Sequence, residues 1–141
     1  MAEVLGTIDP SLEQYRGRIE DMMSAPFVVH LGIELVSVTP DEVRMRMSLR
    51  PEFWNSNGVG HGGVIYTLAD HAAALAANIE SDAVGQNGNM TYHRPLVSDE
   101  VEAVSTRINS SRSLDVQDVR VYSGGKLIAS GVFTAFKVRK G

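Results

Sequence analysis

The amino-acid sequence predicts an α+β domain in which one antiparallel sheet packs against a central buried helix. Residues 64–78 are rich in alanine and nearly free of charge, as expected of a helix that is apolar on most of its circumference. Residues 42–50 alternate between apolar and polar side chains, which is typical of a half-buried strand. From residue 84 onward, strand-like segments follow one another across short turns, and this arrangement favours antiparallel pairing.

The N-terminal region is expected to form a helix that precedes the sheet. Asp9 is a suitable N-cap and Pro10 suits the first helical position, while Pro26 is expected to end the helix. Residues 1–26 would then be a helical extension of a single domain that spans residues 1–141. The apolar residues that share one face of this helix are Leu12, Tyr15, Ile19, Met22 and Met23.

Six strands are expected, two before the buried helix and four after it. Their predicted ranges are 31–39, 42–50, 84–93, 99–109, 113–122 and 126–138. Within the fifth strand, the apolar positions change parity between Val116 and Val119, which predicts a β-bulge there.

Composition excludes several functional classes. The formal net charge of −4 argues against nucleic acid as the main partner, because phosphate binding requires clustered Lys and Arg. The chain has no cysteine, so disulfides, thiolate nucleophiles and cysteine-based metal sites are excluded. No apolar run approaches the ~20 residues of a membrane-spanning helix, and Met1–Val4 does not resemble the start of a signal peptide. We therefore expect a cytoplasmic protein that binds neither nucleic acid nor membrane.

The candidate chemistry lies at the start of the buried helix. His61-Gly62-Gly63 stands where a glycine-rich loop enters the helix, and the first N–H groups of a helix lack intrahelical partners and carry partial positive charge. Glycine lets a carbonyl approach these groups closely, as stabilisation of an oxyanion requires. Asp70 follows about two turns later, on roughly the same face. A carboxylate on an apolar helix costs free energy unless it is paired or functional.

The pattern Asn55-x5-His61-Gly62-Gly63-x6-Asp70 resembles the signature of the PaaI-type (THEM2-like) acyl-CoA thioesterases of the hotdog superfamily. The resemblance covers about residues 27–138. It implies a hotdog fold, in which the sheet wraps around the central helix. It extends to the strand after the helix, through Asn89-Met90-Thr91-Tyr92 and Arg94-Pro95.

The resemblance implies a role for each residue of the pattern. Asp70 would be the general base or the nucleophile that attacks the thioester carbonyl. The N–H of Gly62 would bind the thioester oxygen, Asn55 would orient the water or the substrate, and His61 would shape the loop and the thioester pocket. In this family two subunits pair their sheets, so that Asp70 faces Gly62 and Asn55 of the other subunit. A homodimer is therefore expected, with a homotetramer as a dimer of dimers.

Some members of the family use a Ser or Thr on the strand after the helix to help place the water. Alignment on Asn89–Tyr92 puts that position at Gly85, which has no side chain. Gln86 or Asn87 would then substitute, or the role is absent. The residues expected to contact the substrate are Gly63, Gly85, Gln86, Asn87 and Arg94.

Structural interpretations remain open for several of these residues. Asp70 could be satisfied by local hydrogen bonds, Asn55 is a natural turn residue, and Arg94 could lie on a solvated strand edge. The further candidates for binding the phosphates of coenzyme A are Arg107, Arg112, Lys137, Arg139 and Lys140.

Neither a metal site nor a serine nucleophile is expected. The four histidines form no His-x3-His or His-Glu-x2-His pattern, and the adjacent Asp70 and His71 point about 100° apart on a helix. No Gly-x-Ser-x-Gly elbow is present in the sequence. We therefore expect an acyl-CoA substrate, whose coenzyme A is part of the substrate, and no other cofactor.

Two rival functions differ from hydrolysis. A hotdog hydratase or dehydratase needs a His paired with a helix carboxylate for proton transfer at carbon, and His61 with Asp70 would have to fill that role. A non-catalytic acyl-CoA binding domain would keep the groove without needing Asp70. The combination of Asn55, the two glycines and Asp70 favours the hydrolase.

Overall fold

The computed structural model describes residues 5–138, which form a seven-stranded sheet and three α-helices. The strands are β1 (Leu5–Ile8), β2 (Glu34–Val38), β3 (Glu42–Ser48), β4 (Ala83–Tyr92), β5 (Glu100–Ser110), β6 (Leu114–Ser123) and β7 (Lys126–Lys137). The helices are α1 (Arg16–Met23), α2 (Pro26–Leu31) and α3 (Gly62–Asn78). The strand order is β1-β2-β3-β5-β6-β7-β4, and every pair is antiparallel except β1 with β2.

Helix α3 is the central element, as the sequence predicts. It packs on the sheet, chiefly against β3, β5 and β6. Its alanines let the helix lie close to the strands, because a methyl group adds little width between two backbones. The buried residues of α3 are Ile65, Leu68, Ala69, Ala72, Ala73, Leu75, Ala76 and Ala77.

The N-terminal region differs from the single helix that was expected. Residues Pro10–Tyr15 form a 3₁₀ helix capped by Asp9, whose carboxylate accepts from the N–H of Ser11. Helix α1 follows directly, and Pro26 begins α2 instead of only ending a helix. Proline suits a first turn because its missing N–H would have no intrahelical partner there. Residues 1–4, which belong to the predicted extension, lie outside the described residues.

Strand β1 was not predicted. It is four residues long and includes Gly6, which lies so close to β2 that a Cβ there would be 1.9 Å from the carbonyl oxygen of Val36. Such a short segment carries too little alternation to indicate a strand.

The β-bulge predicted in β6 between Val116 and Val119 lies on the neighbouring strand instead. The pairing of β5 with β6 shifts register between Arg107 and Asn109, opposite Gln117 and Val116. The odd-numbered residues of β6 from 115 to 121 all lie on the buried face, so the alternation is unbroken. The apparent change of parity arises because Asp115 and Gln117 occupy buried positions, at 2% and 1% exposure. Their polar groups are satisfied internally: Ser105 donates to Gln117 over 2.8 Å, and Gln117 donates to Asp115 over 2.7 Å.

One edge of the sheet is long and unpaired. Strand β4 has ten residues and pairs only with β7. Val84 and Tyr92, near its two ends, are 60% and 48% exposed. A free edge of this length presents a row of unpaired N–H and C=O groups to another strand. No helix within residues 5–138 is long and apolar enough to cross a membrane.

His71 connects α3 to α1. Its side chain is half-buried and hydrogen-bonded to the backbone of Met22, while its Nε2 is buried and has no partner within residues 5–138. Burial lowers the pKa of His71, and the bond to Met22 offsets only part of this effect. The folded chain therefore holds this imidazole in its neutral form.

We expect the free energy of unfolding to decrease as the pH falls below neutrality, because His71 is protonated more readily in the unfolded chain. A folded-state pKa below the ordinary value contributes stability that is present above the unfolded pKa and is lost as pH falls through the folded pKa. Urea unfolding measured from about pH 7.5 to about pH 5 should show a smaller loss for His71→Gln than for wild type. The control His93→Gln, at an exposed position, should follow wild type. An identical acid-side loss in all three proteins would contradict this assignment.

Candidate active site

The start of α3 leaves one backbone donor free. His61 is the N-cap, and its Nδ1 accepts from the N–H of Gly63 over 2.9 Å. The carbonyl of His61 accepts from the N–H of Val64 over 3.0 Å. Within residues 5–138 the N–H of Gly62 has no acceptor, so it keeps the partial positive charge of a helix terminus. The amide of Gly63, a predicted substrate contact, is occupied by His61.

Tyr92 holds this helix start against the edge strand. Its hydroxyl donates to the carbonyl of Gly62 over 3.1 Å, and a Cβ on Gly62 would lie 3.4 Å from the Tyr92 ring. Burial raises the pKa of Tyr92, and the nearby Tyr66 raises it further. The phenol therefore stays neutral and keeps its proton for Gly62. The sequence pattern includes Tyr92 but gives it no role.

Asn55 stabilises the loop before the helix. Its side-chain oxygen accepts from the N–H of Asn57 over 2.8 Å and from that of Val59 over 3.3 Å. This is the turn-forming role that asparagine commonly takes. The side-chain N–H groups of Asn55 make no hydrogen bond within the described part of the chain, so they are available to a ligand.

Asp70 lies in a cleft between α3 and the edge strand. The cleft has a volume of about 390 Å³, and its walls include Tyr66, Gly85, Asn87 and Phe133. Asp70 is solvent-exposed in the single chain, although it lies on the helix that the sequence predicts to be buried. The reason is that the cleft opens beside the unpaired edge of β4. Partial desolvation nevertheless raises the pKa of Asp70 above its ordinary value, which makes the carboxylate a stronger base.

The three predicted residues at the start of β4 line this same cleft. Gly85, Gln86 and Asn87 form its strand wall, and the pairing of β4 with β7 shifts register between Gly85 and Asn87. Such irregularities often redirect side chains next to functional sites. A Cβ on Gly85 would meet no atom within 4 Å, so the space above this residue is open.

The floor of the cleft is polar, which the sequence analysis missed. Asp115 and Gln117 reach the cleft from β6. The carboxylate of Asp115 also accepts from Nε of Arg107 over 3.1 Å, and Arg107 donates to the carbonyl of Ala76 over 3.0 Å. The signal was present in the sequence as two polar residues, Asp115 and Gln117, on the same face of the strand as Val119 and Val121.

Two predicted phosphate-binding arginines are engaged elsewhere. Arg94 donates to the carbonyl of Leu127 over 2.8 Å and lines a separate surface pocket with Pro95 and Val97. It is not brought to the cleft of its own chain. Arg107 is part of the internal network described above. Arg139 and Lys140 lie outside the described residues.

Residues 5–138 contain no cluster of three His, Asp or Glu side chains close enough to hold a metal ion.

The two chemical groups of α3 are too far apart to act together within one chain. Gly62 and Asp70 are eight positions apart in one continuous helix, which corresponds to about 12 Å along the axis. An oxyanion donor and a base that share one carbonyl must each lie within hydrogen-bond distance of it or of the attacking water. Within one chain, Gly62 and Asp70 therefore cannot both reach the same carbonyl group.

Comparison with known proteins identifies the family. Residues 57–129, more than half of the chain, match the model of the thioesterase superfamily. The chain belongs to this superfamily. The match includes His61, Gly62, Gly63 and Asp70, and Asn55 precedes it.

Solved structures show that this thioesterase-superfamily chain has the hotdog fold. A mutant of the phenylacetic acid degradation protein PaaI from Thermus thermophilus is 37% identical, with a TM-score of 0.78 over 80% of this chain and 99% of that one. Thioesterase HI1161 from Haemophilus influenzae is 27% identical, with a TM-score of 0.80 over 87% of this chain and 90% of that one. The predicted fold and PaaI-type resemblance are thereby confirmed.

Among curated relatives of this thioesterase-superfamily chain, the 1,4-dihydroxy-2-naphthoyl-CoA hydrolase of Listeria monocytogenes is 28% identical over 95 residues. The aligned region covers 64% of this chain and 77% of the relative.

Proposed function

We propose that this protein hydrolyses acyl-CoA thioesters at sites built from two copies of the chain. The observation that carries the proposal is that Gly62 and Asp70 lie far apart along α3 and yet both lie next to the free edge strand β4. Asp70 lies beside residues 85–88 of this strand, and Gly62 lies against Tyr92 at its end. Hydrolysis of thioesters is the chemistry of the superfamily, and the name of the Listeria relative supports a CoA substrate.

Antiparallel pairing of β4 with β4 of a second copy would bring the two groups together. Full-length pairing about a two-fold axis sets residue 83 of one copy against residue 92 of the other. The helix start held by Tyr92 would then lie near the end of the strand that flanks Asp70. Two identical sites would result, each with Asp70 from one copy and Gly62 from the other. The partner would also cover the exposed cleft and desolvate the carboxylate further.

The groups at such a site carry out a complete hydrolysis. The carboxylate of Asp70 takes a proton from water as the water oxygen bonds to the thioester carbon. The carbonyl oxygen becomes negative and accepts a hydrogen bond from the N–H of Gly62 of the second copy. When the carbonyl re-forms, the C–S bond breaks, and the sulfur leaves with the electron pair and takes the proton from Asp70. The products are a carboxylic acid and coenzyme A.

The surrounding residues have supporting roles in this proposal. His61 fixes the helix start through its N-cap bond, and the side-chain amide of Asn55 is available to orient the substrate or the water. No metal or prosthetic group takes part. The absence of cysteine suits a cytoplasmic location. Arg94 of the second copy is a candidate for a phosphate of coenzyme A.

Replacing Asp70 by Asn should abolish most of the activity, because the amide cannot accept the proton from water. We expect kcat to fall by about 10²–10⁴-fold while thermal unfolding stays near that of wild type. The assay is thiol release from phenylacetyl-, hydroxybenzoyl-, hexanoyl- and palmitoyl-CoA. Ligand binding without turnover across this panel would favour a binding domain, and hydration of an enoyl-CoA without thiol release would favour a hydratase. Turnover of Asp70→Asn at the wild-type rate would exclude this residue as the base.

Replacing Gly62 by Pro should remove the oxyanion donor and leave the helix intact. Proline suits the first helical position, and His61 already has the extended backbone, with φ −64° and ψ 135°, that a following proline requires. We expect kcat to fall by about 10²–10³-fold, since one oxyanion hydrogen bond is lost. The matched control is Gly62→Ala, which keeps the N–H and places its Cβ in ordinary contact with Tyr92. Equal rates for the two variants would show that this amide does not bind the oxyanion.

A further inference from the structure

We infer that Tyr66 positions the attacking water with its hydroxyl group. This inference rests on the proposed function and adds a residue that the sequence pattern does not single out. Tyr66 precedes Asp70 by four residues on α3, so the two side chains are neighbours on one helix face. Both line the same cleft, facing residues 85–88 of β4.

Packing fixes the Tyr66 ring in one orientation. Its centroid lies 5.3 Å from that of Phe133, and the two rings are tilted by 58°. Phe133 is itself buried. A Cβ on Gly88 would lie 2.5 Å from the Tyr66 hydroxyl oxygen and 2.8 Å from the Phe133 ring. The hydroxyl therefore reaches the backbone of the edge strand, at a place where the strand has no side chain.

A water that attacks a carbonyl needs a second partner besides its base. The carboxylate of Asp70 takes one proton, and the other O–H and the lone pairs must be held so that the oxygen points at the thioester carbon. A phenolic hydroxyl can both donate and accept a hydrogen bond, so it suits this task. Its rigid packing gives the preorganisation that flexible side chains lack.

Other polar groups near Asp70 fit the role less well. Gly85 and Gly88 have no side chain, and Gln86 and Asn87 are exposed on the strand. The side chains of Asp115 and Gln117 on the cleft floor are already hydrogen-bonded within their own network. The hydroxyl of Tyr92 is already committed to the carbonyl of Gly62. Tyr66 supplies a fixed hydroxyl one helical turn from the base.

The direct test is Tyr66→Phe, which keeps the ring against Phe133 and removes only the oxygen. We expect kcat to fall by about 10–100-fold, with KM within about twofold of wild type, because the hydroxyl contacts the water and not the substrate. The matched control is Tyr122→Phe, on the opposite face of the sheet, which should keep wild-type kcat. Equal kcat values for the two variants would overturn the inference.

A second substitution on the opposite wall of the cleft distinguishes loss of the Tyr66 hydroxyl from a disturbance of the fold. The space above Gly85 is open, so Gly85→Ser in the Tyr66→Phe background can present a new hydroxyl to the same cleft. We expect it to recover part of kcat, whereas Gly85→Ala in that background should recover none. Equal kcat values for these double variants would also overturn the inference. If Asp70→Asn abolishes turnover but Tyr66→Phe does not lower kcat, the hydrolase function stands and only the role of Tyr66 fails.

Discussion

The rigidity of α3 determines how the candidate site can be assembled. An α-helix does not shorten, so the amide at its first position and a carboxylate two turns later cannot meet on one carbonyl. The helix is nevertheless a suitable source of both groups. Its N-terminus supplies an unpaired N–H, and a later turn supplies the Asp70 carboxylate at a fixed distance along the helix axis. In the function we propose, a second copy of the chain would resolve this conflict, and the long free edge of β4 would be the place where it pairs.

Contacts between α3 and β4 fix the position of the helix relative to the edge strand. Tyr92 holds the carbonyl of Gly62 at one end of the strand, and Tyr66 reaches the backbone at Gly88 in its middle. Both tyrosines span the gap between helix and strand, so any partner that pairs with β4 is also placed relative to the helix. In the proposed dimer the strand would serve both as the interface and as a wall of the site. Gly88 accommodates the Tyr66 hydroxyl, and the space above Gly85 is open.

Much of the fold could be predicted from local sequence, and the failures have identifiable causes. The alanine-rich α3 and the alternating β3 are strong signals, because nearly every residue agrees with one period. The bulge assigned to β6 failed because burial was read from apolarity alone, whereas Asp115 and Gln117 are buried through hydrogen bonds to each other and to Ser105. The exposure of Asp70 could not be predicted, since it depends on the open sheet edge and not on the helix itself. The role proposed for Tyr66 needs the position of Gly88, which only the folded chain supplies.

Complementation between two inactive variants tests the shared site most directly. Co-expressed Asp70→Asn and Gly62→Pro chains would form mixed dimers with one intact site, made of Asp70 from one chain and Gly62 from the other. Random pairing makes half of the dimers mixed, so thiol release should recover to about a quarter of the wild-type rate. The same assay on each variant alone gives the baseline. A mixed preparation that stays at this baseline, although mass spectrometry shows the mixed dimer, would contradict the account.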